Sequence, residues 1–204
     1  MKRIGFLYIF LLLLSCGKGI LGPARVDGVV TDATTGDPIY NATVYLFERE
    51  NDFEFLGAPA PEILIDSITT GALGRFEFAY DDRHGYAYSV FATKYNYIDK
   101  ANLQSILSLG NGTDIELFLD PEAFLKVRVH NINTYATGDN IDINGLDEGP
   151  YYGNYVDEIE IKRVSGNNIY SLHVFVVIDG IISSSVEHNI YCPAFDTTYY
   201  EILY

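Results

Sequence analysis

Few side chains in this sequence have the type and spacing to do chemistry. The cysteines are Cys16 and Cys192, and the histidines are His84, His130, His173 and His188. A zinc site needs three or four such ligands gathered together, usually with some of them only a few residues apart. His130, His173 and His188 fall instead on three separate stretches of alternating polarity, where a structural role explains them better. His84 lies in Asp81-Asp82-Arg83-His84-Gly85, which reads as an exposed turn. There is no His-Glu-x-x-His, no Cys-x-x-Cys, no Gly-x-Ser-x-Gly elbow and no phosphate loop. We therefore expect no enzyme, and assign no catalytic residue, metal ligand or cofactor.

Two stretches remain as binding candidates. In Asp139-Asn140-Ile141-Asp142-Ile143-Asn144-Gly145-Leu146-Asp147-Glu148, oxygen-bearing side chains alternate from Asn140 and Gly145 falls sixth, as in a calcium loop. The twelfth place, where such a loop needs a bidentate Glu, is Tyr151, so a polar strand and turn is the preferred reading. Tyr151, Tyr152 and Tyr155 cluster in a Gly-containing loop after Pro150. Tyrosine offers contact area at low entropic cost, so these three form a candidate ligand-contact loop for a glycan or a protein. The alternative is that they pack over the end of a sandwich. The absence of Trp weakens the sugar-stacking version.

The elements that must position these residues are strands. Apolar side chains make up 48% of the chain and aromatic ones 14%, ample for a packed core in one or two domains. Period-two alternation runs through residues 26–32, 42–48, 63–69, 75–80, 86–95 and 114–119, separated by Gly, Asp, Asn and Pro. A short helical turn is allowed near residues 103–109. After Asp120-Pro121 a second set follows at 123–131, 157–164, 170–179, 181–191 and 198–204. Leu125, Val127 and Val129 should face inward, and Lys126, Arg128 and His130 outward. Pro cannot donate to a ladder and restricts the residue before it, so a domain boundary is expected near Pro121, with domains at 26–120 and 121–204.

The first set carries a resemblance. Val26-Asp27-Gly28-Val29-Val30-Thr31-Asp32, Thr35-Gly36-Asp37-Pro38-Ile39, Asn41-Ala42-Thr43-Val44-Tyr45-Leu46, then Thr70, Gly74-Arg75-Phe76-Glu77-Phe78 and Ala92-Thr93-Lys94-Tyr95 look like a carboxypeptidase regulatory-like domain, a transthyretin-like sandwich. That resemblance implies a non-catalytic folding aid, spacer or interaction module, and no peptidase. The segment 51–62, with Pro59 and Pro61, departs from the family as an insertion. For the second set an immunoglobulin-like sandwich is the default. The fold class expected is all-β, with two tandem β-sandwich domains.

At the N-terminus, Lys2 and Arg3 precede an apolar run at residues 6–14, well short of the ~20 residues a spanning helix needs. Leu13-Leu14-Ser15-Cys16 resembles the bacterial lipobox. The resemblance implies a signal peptide at 1–15, cleavage after Ser15, and lipid on Cys16 that anchors the chain in a membrane. Gly17 rather than Asp follows the cysteine, which by the same resemblance implies sorting to the outer membrane of a Gram-negative envelope. A secretory signal whose Cys16 later pairs with Cys192 stays open as the alternative. Gly17-Lys18-Gly19-Ile20-Leu21-Gly22 has dinucleotide-motif spacing but lacks the strand before and the helix after, so residues 16–25 read as a tether of at most about 30 Å.

The formal net charge is −15, and cleavage would remove two positive charges more. That balance excludes nucleic acid as a partner and disfavours adhesion to anionic headgroups. Two function classes follow: a lipid-anchored binding module with a protein or glycan partner, or a structural lipoprotein that scaffolds an envelope assembly. A hydrolase is the weaker third.

Overall fold

The computed structural model describes residues 20–50, 54–55, 58–98, 105–107, 113–133 and 135–204. Cys16 and the lipobox lie outside the described residues. The chain is all-β. Its strands are β1 (Ile20–Asp32), β2 (Thr43–Glu50), β3 (Glu54–Phe55), β4 (Ala58–Pro59), β5 (Ile63–Thr69), β6 (Arg75–Arg83), β7 (Tyr86–Thr93) and β8 (Tyr97–Ile98). They continue with β9 (Ser105–Leu107), β10 (Thr113–His130), β11 (Asn140–Asn144), β12 (Tyr151–Tyr152), β13 (Asp157–Ser165), β14 (Asn168–Ile178), β15 (Ile181–Cys192) and β16 (Thr197–Leu203).

In the first unit, β6, β1 and β10 form one sheet, and β5, β2, β7 and β9 the other. β1 runs antiparallel to β6 and parallel to β10. Val26 and Val30 from β1, Val44 and Leu46 from β2, Phe76 and Phe78 from β6, Val90 from β7 and Leu117 from β10 meet in one buried core. The turn into β6 depends on Gly74, whose φ of +67° is strained for residues with a side chain and whose carbonyl accepts the Val30 N–H at 2.9 Å. Gly28 serves closeness instead, since a Cβ there would lie 2.2 Å from the Ile115 carbonyl oxygen on β10.

The second unit repeats this plan. β13, β10 and β16 form one sheet, with β13 antiparallel and β16 parallel to β10; β12, β11, β14 and β15 form the other. Leu125, Val127 and Val129 are buried against Ile141, Leu172, Val174 and Ile190, as the alternation requires. The expectation of a second two-sheet sandwich is met. Its strand order is that of the first unit over again, which differs from the order of immunoglobulin domains.

Three readings are corrected. Residues 105–107, in the stretch where a helical turn was allowed, pair with β7 as strand β9. Residues 20–25, read as tether, already belong to β1, because Ile20 to Arg25 find partners along β6 from Arg83 to Ala79. Pro121 interrupts nothing: β10 passes straight through it, with buried side chains on one face from Ile115 to Val129. The reason is a change of neighbours. β1 ends opposite Leu119, β8 covers Asp120 and Pro121, β13 ends opposite Glu122, and β16 begins opposite Phe124. The missing N–H of Pro121 therefore falls where no long ladder runs. Its carbonyl accepts the Gly166 N–H at 2.7 Å.

The joint between the units is tied. Tyr97 donates from its hydroxyl to Asp32 Oδ2 (3.1 Å), stacks edge-on against Phe195 (5.4 Å), and accepts the Arg163 guanidinium at its carbonyl (3.0 Å). Arg163 also reaches Glu122 (2.7 Å), and Asn167 donates to Thr34 Oγ1 (3.0 Å). Asp32 Oδ1 accepts from the Thr34 N–H, the Thr34 hydroxyl and the Thr35 N–H. Burial pushes this carboxyl up, but these hydrogen bonds outweigh it and hold Asp32 below its ordinary value. Burial also raises the Tyr97 hydroxyl, to about 12.

Candidate binding face

The residues singled out in the sequence do not gather. Tyr151 lies on β12 opposite Ile141, 8% exposed in the second core, and its hydroxyl donates to Glu160 Oε2 at 3.2 Å. Tyr152, the next residue, points the other way and is exposed, because neighbours on a strand face opposite sides. Tyr155 is fully exposed beyond it. The three make no common platform. The acidic stretch at 139–148 contains β11, whose Ile141 and Ile143 enter the core, and Asp139 accepts the backbone N–H groups of Ala136 and Asp179.

The histidines stay apart as well. His130 Nδ1 stands 3.6 Å from Asp157, His173 Nε2 3.4 Å from Glu187, and His188 Nδ1 2.7 Å from the Tyr200 hydroxyl. Among the described residues, no three side chains of metal-binding type come together. Cys192 is buried, and burial raises its thiol.

What the fold does assemble is the outer face of the sheet β13-β10-β16. The cross-strand registers place Ile161, Lys126 and Tyr199 in one row, and Ile159, Arg128 and Glu201 in the next. Ile159, Ile161, Tyr199 and Leu203 are all more than half exposed. Lys126 Nζ lies 4.7 Å over the Tyr199 ring. Arg128 makes a two-pronged contact with Asp157, at 2.6 and 2.9 Å, and a third bond to Glu201 at 2.9 Å. The Arg128 hydrogen bonds hold the Asp157 carboxyl below its ordinary value and raise the guanidinium in turn. A groove of about 340 Å³ follows, lined by Lys126, Arg128, Ile159, Tyr199, Tyr200 and Glu201.

Strand β13 is the unusual member. Alternation alone would turn Ile159 and Ile161 toward the core and leave Glu160 in solvent. The observed register does the reverse. Glu160 turns to the sandwich side, where its two carboxylate oxygens accept the Asp147 N–H (2.6 Å), the Glu148 N–H (3.2 Å) and the Tyr151 hydroxyl. A slip of one residue would exchange the two faces, so this carboxylate helps fix the register that exposes both isoleucines. The sequence reading had Lys126 and Arg128 facing outward but missed Ile159, Ile161, Tyr199 and Glu201. The signal available was the acid–Ile–acid–Ile pattern of β13, which is ambiguous until the Glu160 partners are known.

No family model matches the chain, and no curated protein matches it. Among solved structures, the Bacillus anthracis TIE protein matches over 89% of this chain and 34% of its own, at 12% identity and a TM-score of 0.36. A streptococcal ancillary pilin matches over 89% of this chain and 62% of its own, at 12% identity and a TM-score of 0.40. GBS52, a minor pilin of Streptococcus agalactiae, matches over 88% and 94%, at 11% identity and a TM-score of 0.36. Thus the chain spans about a third of the length of the first and under two thirds of the second. Likeness at this level assigns neither family nor function.

Proposed function

We propose that this chain is a non-catalytic, lipid-anchored envelope protein that holds a protein-binding face away from its membrane. The observation that carries the binding part is the outward pair Ile159 and Ile161 beside Lys126, Arg128 and Tyr199. Contiguous exposed apolar surface with polar edges marks an interaction site, and Tyr and Arg are enriched among residues that dominate binding energy. A flat mixed face of this kind suits a protein surface better than a sugar ring.

The anchoring part rests on the lipobox resemblance at residues 13–16, with Cys16 as the lipid attachment and the outer membrane of a Gram-negative envelope as the location. The transthyretin-like reading of residues 26–119 belongs with it. The geometry supports a stand-off role: twelve residues along β1 lead from Ile20 to Asp32, opposite Leu119, and seven more along β10 lead to Lys126. At about 3.3 Å per residue that path is roughly 60 Å long.

Two experiments test this reading. Labelled fatty acid should enter the full-length protein and be lost in Cys16→Ala; labelling that survives the substitution removes the anchor. Affinity capture from the native envelope should return a protein with the unsubstituted chain and lose it with Ile161→Asp or Tyr199→Ala. A partner retained by both variants would place binding elsewhere and favour the scaffold reading.

A further inference from the structure

The end of the first unit nearest the N-terminus carries an apolar edge that the binding proposal does not use. Ile63, Leu64 and Ile65 open strand β5 with relative exposures of 56%, 51% and 39%. β5 pairs with β2 on one side, and a register shift between Leu46 and Phe47 leaves Ile65 as an extra residue. Every residue of β5 is exposed, and the bulge places three consecutive apolar side chains in its first half.

Their position relative to the anchor follows from three contacts. Ile20 pairs with Arg83 across β1 and β6. Arg83 forms an ion pair with the buried Glu48 on β2 and lies 4.4 Å over the Tyr86 ring. Glu48 in turn pairs with Ile63. Ile20 and Ile63 therefore sit at the same pole of the first unit, while the second unit continues from the opposite pole at Leu119 and Pro121. Ile20 follows Cys16 by four residue steps, a reach of at most about 14 Å. So short a connection allows this pole to touch the surface in which lipid on Cys16 is embedded.

We propose that Ile63, Leu64 and Ile65 form a membrane-contact wedge that inserts at the lipid interface beside the anchor and sets the long axis of the molecule away from the bilayer. The inference rests on the reading that Cys16 is the membrane attachment. Asp82 and Asp81, paired with Gly22 and Pro23 at this pole, fit zwitterionic rather than anionic headgroups. A fixed contact at the base would convert a molecule swivelling on acyl chains into one with a defined attitude.

Because the chain contains no Trp, a single introduced one reports without background. The mature chain, residues 16–204, is coupled through Cys16 to a maleimide phospholipid in phosphatidylcholine vesicles. Chemical coupling makes the outcome independent of acylation in the cell, which the fatty-acid labelling tests separately. Brominated lipid should quench Leu64→Trp several-fold more than Tyr199→Trp, with a blue shift only at position 64. Adding Ile63→Ser and Ile65→Ser should reduce that difference. Equal quenching at both positions overturns the wedge. So does a concentration-dependent blue shift of Leu64→Trp without vesicles, which would mean that a second copy covers this edge.

Discussion

The two units share one strand plan, yet the corresponding sheets present opposite surfaces. In the first, β6 turns Phe76, Phe78 and Tyr80 to the core and leaves Arg75 and Glu77 outside. Arg25 bridges Asp27 and Glu77 on that outer face, an arrangement of small energetic consequence suited to remaining in water. In the second, β13 occupies the place of β6 and turns Ile159 and Ile161 outward. A duplicated scaffold thus keeps its hydrogen-bonded frame while one strand exchanges its faces. The plan accounts for stability, and departures from it locate the specialised surface.

The largest effects are expected in the two cores. Leu46→Ala in the first unit and Leu125→Ala in the second each remove a fully buried side chain and should cost about 2–5 kcal/mol. If the cores are energetically separate, calorimetry will show each substitution lowering a different transition. Identical displacement of one transition would mean that the tied joint merges them.

A smaller effect separates the two glutamates at corresponding strands. Glu160→Ala removes the acceptor of the exposed Asp147 and Glu148 N–H groups and of the part-buried Tyr151 hydroxyl, and should cost roughly 1–2 kcal/mol by urea denaturation. Glu77→Ala should change stability by less than about 1 kcal/mol. Equal losses would show that Glu160 does not fix the exposed register.

Acid should distinguish the joint from the candidate face. Asp32 and Asp157 both have depressed folded values, so each stabilises the fold above the ordinary carboxylate value of 3.8 and loses that contribution as pH falls through its lowered value. The Asp32 interactions are shielded within the joint, whereas Asp157 is solvated. Asp32→Asn should therefore flatten the stability profile below pH 3.8 more than Asp157→Asn does. The smallest change is expected from Ile159→Ser with Ile161→Ser, within about 0.5 kcal/mol because neither side chain is buried, although partner capture should be lost.

Much of the frame was legible in the sequence because alternation directly reports which side of a strand is dry. The reading of β5 at residues 63–69 matches the observed bounds, and Leu125, Val127 and Val129 face the core as expected. β11 was legible only as a polar strand and turn, because Asn140, Asp142 and Asn144 dominate it, and the entry of Ile141 and Ile143 into the core did not show. Pro121 misled for a different reason: its missing donor matters only if a neighbour needs it, and that depends on where β1 stops. The candidate face was half visible, through Lys126 and Arg128. Its other half depends on Glu160 finding acceptor duties in a loop, which no periodicity encodes.

The shared strand also determines how the molecule would carry load. Tension between an anchor before β1 and a partner on the second unit draws β1 toward its beginning and β10 toward its end. The two strands are parallel over seven residue pairs, from Val26 and Thr113 to Asp32 and Leu119. Opposed pulls on parallel neighbours shear the ladder lengthwise, so its hydrogen bonds resist together instead of opening one after another. Forced rupture is governed by the unfolding rate, and with the proposed anchor and partner in place, shear would make the first unit a stiff link between them.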